Sequence, residues 1–431
     1  MAHFTFVDLF AGIGGFRIPC EALGGECLAF AENSKSAISI YNENFSQAPN
    51  LGNVQTFAKI NSDKPIDLIT AGVPCQPWSV AGKNKGFKDP RGRLWFSTIN
   101  IIKENRPKVF IIENVAGLSD PRNESNLKQI KDLFTEIGYK FKIFELSARD
   151  FGVVQDRVRV FIVGFKNETY LKRISSIEKN TRYKTIGNIL YPNLKIKNTN
   201  SKFPQNFRIA DVRGGDTTFH SWDLIQTSPE EKTACNLILS KRRSLGKKIY
   251  GKDGAPLSIN DIYKETGIRI KKSVIISLIE KGILIEPKEN RYDFKHSRYG
   301  LGVNIEYSKR DKRFEINSSN EGVFRILTLS SKEFPTITAS RQYDYICTDI
   351  IKQSSSLKQY KASFVSNILK TNKYRIPNKS QKLSLQGFPE DFKTYTVSDS
   401  VAEFHIGNAV PPPVVLNILK ATIKTRVFDV K

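Results

Sequence analysis

Six short runs of mostly apolar residues recur in the first 165 positions, at Phe4–Phe10, Glu26–Phe30, Asp67–Ala71, Val109–Glu113, Lys140–Leu146 and Val158–Val163. A strand with one wet face alternates polar and apolar residues. Unbroken stretches such as Val109–Ile112 therefore belong to strands covered on both sides. A sheet enclosed by helices offers that environment, and helical stretches such as Ser34–Asn44 and Asn126–Ile137 lie between the runs. The pattern predicts an α/β domain with a doubly wound, mainly parallel sheet. Ligands gather at the carboxyl ends of the strands in such sheets, which directs attention to the residues that follow each run.

After the third run the chain reads AGVPCQPWS, residues 71–79. Proline fixes its own φ and pushes the preceding residue into an extended conformation, so Pro74 and Pro77 hold Cys75 on a stiff loop. A cysteine kept for packing would sit inside an apolar periodic segment; this one is presented at a strand end. After the first run, DLFAGIGGFR (Asp8–Arg17) joins strand to helix through a glycine loop, where backbone can pass close to a ligand. Arg17 stands where the full dinucleotide fingerprint has its last glycine, so nothing demands a pyrophosphate. Glu32 ends the second run, where a carboxylate can accept ribose hydroxyls, and a nucleoside-containing cofactor is expected. Glu113-Asn114-Val115 follows the fourth run. Gln155-Asp-Arg157-Val-Arg159 leads into the sixth, with both arginines on one face of an extended segment. Any one of these alone reads as a solvated cap or a salt bridge. Their sum brings a thiol, a carboxyl and two guanidinium groups to one edge of one sheet.

A chain of 431 residues has room for roughly two or three domains. Its 67 Lys and Arg against 43 Asp and Glu give a formal net charge of +24. That charge selects an anionic polymer as partner, nucleic acid ahead of an anionic membrane. Residues 1–60 hold three basic and five acidic side chains, whereas 241–250 hold five basic and none acidic, and 351–380 seven and none. The front of the chain is not built for a polyanion, while later segments are; for any single run the alternative is a solvated basic surface. No apolar stretch approaches bilayer length and the start lacks a signal peptide's charged region, so a cytoplasmic protein is expected. The five cysteines are odd in number and include no Cys-x-x-Cys pair, which argues against a disulfide framework and a zinc site.

These motifs resemble those of bacterial-type DNA (cytosine-5)-methyltransferases of restriction–modification systems. DLFAGIGGFR, AENS, AGVPCQPWS, KDPRGRLW, ENV, SARDFGVVQDRVRVFIVG, LQGFP (385–389) and GNAVPPP (407–413) stand in that family's order. The resemblance implies a Rossmann-like, S-adenosylmethionine-dependent methyltransferase sheet with a smaller target-recognition domain. It also implies that Cys75 adds as a thiolate to C6 of cytosine, that Glu113 protonates N3, and that Arg157 or Arg159 meets the base's O2. A free thiol is only slightly ionised at neutral pH, so the two arginines are expected to favour the thiolate. S-adenosylmethionine is the implied cofactor, with Phe16 stacked on its adenine and Glu32 on its ribose. The other residues expected there are Asp8, Phe10, Gly12, Gly14, Gly15, Asn33, Asn53, Val54, Pro74, Asn408 and Ala409. Asn53 replaces a common acidic residue, and its carbonyl can accept the adenine amino group's hydrogen bond more weakly. His405 stands where glutamine is more usual. Gln76, Ser79, Lys83, Arg91, Arg213, Thr336 and Ile337 are expected at DNA. A base inside a duplex cannot meet a thiol, so the nucleotide must flip out, and Ala81–Arg93 is the expected lid over it.

The likeness divides the chain into a catalytic domain at 1–170, a target-recognition domain at 171–398 and a segment at 399–431 that returns to the catalytic domain. Within the middle region, residues 258–294 read as helix, turn, helix and hairpin, either a winged-helix insert or ordinary α+β structure. Lys271 and Lys272 start its second helix and are expected at DNA. The expected partner is duplex DNA with a short target site, bound by a monomer. A restriction endonuclease would be a functional counterpart rather than a stable subunit. A tRNA cytosine-5 methyltransferase of the same fold is the rival reading, but it would have a short recognition segment. A catalytically idle DNA-binding protein would be expected to lack Cys75 or Glu113, and both are present.

Overall fold

The computed structural model describes residues 3–429 apart from 46–47, 79–85, 175, 181–183, 194–202, 210–216, 225, 251–258, 282, 286–314, 317–323, 340–343, 352–353 and 355. Ser79, Lys83, Arg213 and the hairpin expected around 288–290 lie outside the described residues.

All six apolar runs are strands: β1 (Phe4–Leu9), β2 (Gly25–Ala31), β3 (Leu68–Gly72), β4 (Val109–Val115), β5 (Lys140–Ser147) and β6 (Val158–Phe165). They form one sheet in the order β2-β1-β3-β4-β6-β5. Strands β1 to β4 pair in parallel, and β6 runs antiparallel to both its neighbours, so the sheet is mainly parallel. Along β4, Val109 and Ile111 join one apolar cluster while Phe110 and Ile112 join another, as the two-residue period of a strand requires. The first cluster takes in Val414, Ile418 and Leu419 of the helix Pro412–Lys424. The second takes in Trp95, Ile99, Ile130 and Phe134, from helices Leu94–Asn105 and Glu124–Glu136. Both faces are thus covered by helices. Strand order reverses between β1 and β3, and the loops after these two strands part there to leave a crevice.

The described chain forms two compact units. The first comprises Met1–Asn198, Lys332–Gln342 and Pro377–Lys431, and the second Thr199–Ser331 and Tyr343–Ile376. These limits differ from the expected 170 and 398. Beyond residue 170 the sequence turns polar, but Ile174 and Ile177 still pack into the first cluster. The composition shift marks a wetter surface, not the end of a core. In the second unit a five-stranded sheet runs Tyr374–Arg375, Asp344–Cys347, Phe324–Leu327, Asn206–Ile209, Thr218–Phe219, with Phe207 stacked on Phe364 at 4.0 Å. Helices Pro229–Tyr250, Ile259–Thr266 and Lys272–Glu280 gather separately around Ile238, Ile262, Leu278 and Trp222. Gly267, at φ +68°, follows the last residue of the middle helix. The strand Leu284–Ile285 pairs antiparallel with Glu315–Ile316.

One buried charge sits in the middle of this sheet. Asp8 in β1 is fully buried; its Oδ1 accepts a 2.8 Å hydrogen bond from Thr70 Oγ1 and its Oδ2 has no partner. Burial pushes its carboxyl up to about 7, against the Thr70 bond and the charge of Arg17. The folded value exceeds the ordinary 3.8, so the unfolded chain releases this proton first and the Asp8 contribution to stability falls as pH rises from 3.8 to about 7. Asp8→Asn is expected to gain on the wild type by roughly 2–3 kcal/mol between about pH 5 and pH 8, measured by urea unfolding. A difference that stays constant across that range would show that Asp8 does not titrate there.

Candidate active site

The glycine loop after β1 winds through unusual backbone. Phe10 (φ +53°), Gly12 (φ +54°) and Gly14 (φ +92°) all adopt left-handed conformations. That region is costly for a bulky residue such as Phe10, and such strain collects at functional loops. The turn brings the Gly12 N–H to Glu32 Oε2 at 2.9 Å, while the N–H groups of Asn33 and Ser34 donate to Oε1 at 2.9 and 2.8 Å. Three backbone donors hold the carboxylate, and an ionised carboxylate offers about four acceptor positions, so it retains capacity for a ligand. Glycine is required at position 15, where a Cβ would stand 2.5 Å from the Val410 carbonyl oxygen.

The Cys75 loop is held from the neighbouring strand. Gly72 and Glu113 are register partners in β3 and β4, and Asn114 Nδ2 donates to the Val73 carbonyl at 3.1 Å. The Trp78 N–H closes the loop onto the Cys75 carbonyl at 3.0 Å. Glu113 Oε1 lies 3.0 Å from Arg159 Nε. Burial pushes the Glu113 carboxyl up, and Arg159 and then Arg157 limit the rise. Burial, then Glu113, push the Cys75 thiol up; Arg159 and Arg157 pull it down less strongly. The arginines thus act in the expected direction, but burial outweighs them and the resting group is a thiol.

The stretch from Lys332 returns to this unit, and Thr336–Ala339 line the same wall. The Phe334 N–H donates to Val154 O at 2.9 Å and the Asp156 N–H to Phe334 O at 2.7 Å. Arg157 Nη1 donates to two carbonyls, Ile337 O at 3.0 Å and Gly407 O at 3.1 Å. Its guanidinium therefore clamps two backbone segments, a role its spacing from Arg159 did not suggest. At Gly407 a Cβ would lie 2.3 Å from the Thr338 carbonyl carbon, so only glycine admits this contact.

Together these pieces enclose a cavity of about 730 Å³. Its wall includes Cys75, Glu113, Arg157 and Arg159; Phe10, Gly12, Gly15, Phe16, Glu32, Asn33, Asn53, Val54, Pro74, Asn408 and Ala409; and Gln76, Arg91, Thr336 and Ile337. Two residues expected at the cofactor fall elsewhere. Asp8 lies buried inside the sheet, and Gly14 turns toward Phe45, whose ring a Cβ would meet at 2.2 Å. Lys271 and Lys272 belong to the second unit. Asn53 Oδ1 already accepts the Gln55 N–H at 3.0 Å, leaving one lone pair for a further donor. The end of the expected lid is a compact turn: Arg91 pairs with Asp89 at 2.8 Å and Phe87 packs edge-on to Trp78 at 5.2 Å. Sequence reasoning missed Phe404 and His405 as wall residues. His405 Nε2 bonds Ser36 Oγ at 2.8 Å, and burial pushes its imidazole down while Glu32 opposes that shift. The substitution at 405 was visible in the sequence, but its partner, 369 positions away, was not.

A sequence profile of C-5 cytosine-specific DNA methylases matches residues 4–424. The chain is similar to the Type II methyltransferase M.HgiBI of Herpetosiphon aurantiacus, at 35% identity over all of this chain and 99% of that one. It is similar to M.BanI of Aneurinibacillus aneurinilyticus at 30% identity over 98% of this chain and 96% of the relative. Among solved structures, a methyltransferase of Entamoeba histolytica shares the fold with a TM-score of 0.53 at 14% identity, over 98% of this chain and 99% of that chain. A profile match over nearly the whole length and full-length relatives at 30% identity or more place the chain in one group: it belongs to the C-5 cytosine-specific DNA methylase family.

Proposed function

We propose that this DNA (cytosine-5)-methyltransferase works through a covalent bond from Cys75 Sγ to C6 of a cytosine flipped out of duplex DNA. The observation that carries this reading is one cavity holding the strand-end thiol, the Glu113–Arg159 pair and the Glu32 corner. The Cys75 thiol gives its proton to water, and addition of the resulting thiolate to C6 moves the ring's electrons toward C5 and N3. Glu113, whose carboxyl is pushed up by burial, is the acid that gives its proton to N3. C5 then carries the electron density needed to accept a methyl group. Loss of the C5 proton to water and return of the N3 proton to Glu113 expel Cys75 and restore the ring.

S-adenosylmethionine fits the rest of the cavity and would supply a methyl group on a sulfonium centre. Between residues 10 and 55 the described lining includes Glu32 and no Lys or Arg. A polyphosphate there would lack a counter-charge, whereas a cationic nucleoside suits a carboxylate already fixed for its ribose. Phe16 and Val54 offer apolar surface for the adenine. Among the described residues no helix is long and apolar enough to cross a membrane. The net charge of +24 suits DNA as the polyanionic partner. Labelled-methyl transfer to duplex DNA against tRNA tests the substrate, and bisulfite sequencing of the product gives the target site.

Cys75→Ser is expected to abolish transfer while retaining DNA binding, because the thiol acts only after the base has flipped. Substantial incorporation of label by this variant would remove Cys75 as nucleophile.

Arg159→Gln removes the larger of the two charges that pull the Cys75 thiol down. Its thiol should therefore ionise at higher pH. The pH profile of Cys75 alkylation, followed by mass spectrometry, should move toward alkali; an unmoved profile would contradict the electrostatic account.

For the second unit, we propose that the helix Lys272–Glu280 grips DNA phosphates through Lys271 and Lys272. Lys271 pairs with Glu230 at 2.7 Å, but both side chains are more than half exposed, and such surface pairs are weak enough to yield to a phosphate. Changing both lysines to alanine should weaken binding to all sequences alike and reduce the log–log salt slope by about two. Unchanged affinity and slope would make the helix a structural insert only.

A further inference from the structure

Two glutamines with no part in this chemistry are completely buried, Gln155 before β6 and Gln386 at the end of the helix Lys379–Gln386. The Ile337 N–H donates to Gln155 Oε1 at 3.1 Å, Gln155 Nε2 donates to Gln386 Oε1 at 3.2 Å, and Gln386 Nε2 donates to the Ala409 carbonyl at 2.6 Å. This chain of bonds has one possible direction, because a backbone N–H can only donate and a backbone carbonyl only accept. Both ends lie in the cavity wall. Ile337 belongs to Lys332–Gln342, a short stretch of the first unit whose sequence neighbours on either side belong to the second. Arg157 spans the same two segments, from Ile337 to Gly407.

We propose that Gln155 and Gln386 are positioning residues that lock the strap Lys332–Gln342 in register with the wall at 407–410. The part of the wall that a flipped cytosine must pass is then set by the stretch continuous with the recognition unit. An apolar pair of similar volume would fill the same space and let the strap slide by fractions of a residue. Two buried amides between a fixed donor and a fixed acceptor are satisfied in one alignment only, and any slip leaves a buried polar group unpaired.

The inference rests on the reading of this cavity as the cytosine pocket, and its test separates the two. Fluorescence from a duplex carrying 2-aminopurine at the target cytosine reports flipping without requiring Cys75 chemistry. No signal from the wild type would overturn the cavity reading itself, and the inference with it. Given a wild-type signal, Gln386→Met and Gln155→Met should each reduce the flipped fraction and kcat/KM for DNA by roughly tenfold or more. The double variant should be little worse than the poorer single one, since the chain is already broken. Gln386→Glu gives the diagnostic arm. Its carboxylate opposes the Ala409 carbonyl, but a protonated carboxyl can donate in place of the amide. Flipping by Gln386→Glu should therefore recover relative to the wild type as pH falls from about 8 to about 6, with no recovery in Gln386→Met. Wild-type flipping in either methionine variant would overturn the proposal, as would additive losses. If the methionine variants fail to fold, a Gln386→Glu defect that does not change with pH would overturn it alone.

Discussion

The register of β3 against β4 is the constraint on which the rest of the site depends. Gly72 faces Glu113 across the two parallel strands, so the Cys75 loop and the Glu113 carboxyl leave the sheet at the same height. Side chains alternate faces along a strand, and a slip of one residue would turn Glu113 into the opposite layer and Asn114 toward the cavity. The Asn114 bond to Val73 is available only in the observed register. Packing enforces that register, because Phe110 and Ile112 must enter one apolar cluster while Val109 and Ile111 enter the other. The alignment of two reactive groups is therefore guaranteed by the burial of four residues that never meet substrate.

Electrostatically the cavity opposes the charges it uses. Burial raises both the Cys75 thiol and the Glu113 carboxyl, and it lowers the Arg157 guanidinium. Each group is thus biased toward its neutral form, with Arg159 as the counterweight for the two acids. Such a site is stable at rest with a proton on sulfur. It also holds a carboxyl pushed above the ordinary glutamate range, which favours its acid form relative to an exposed glutamate.

Much of this was legible in the sequence, and what was not has a common cause. Unbroken apolar runs located every strand of the main sheet to within two residues, because burial on both faces leaves no polar positions to blur the pattern. The loops after β1, β2, β3 and β4 followed, since proline, glycine and strand-end acids act locally. What local pattern does not carry is a partner far away in the chain. Asp8 is held inside the sheet by Thr70, Gly14 turns toward Phe45, and Arg157 bonds residues 337 and 407. The units defined by contacts differ from the expected limits, since hydropathy along the chain does not reveal that the strap near 334 is hydrogen-bonded to residues 154 and 156.

The fit of Gly15 beneath the Val410 carbonyl has a consequence for how the protein comes into being. The cavity's lining draws on residues 10–16 and 404–410, which lie almost a whole chain apart. During synthesis the sheet strands emerge early and can collapse on one another as a unit. The groove they leave stays open on one side until the late segment has left the ribosome and docked. A nascent chain cannot form the complete cavity, however much of its sheet has folded. The complete site therefore exists only once residues 404–410 have been made and have docked on the glycine loop.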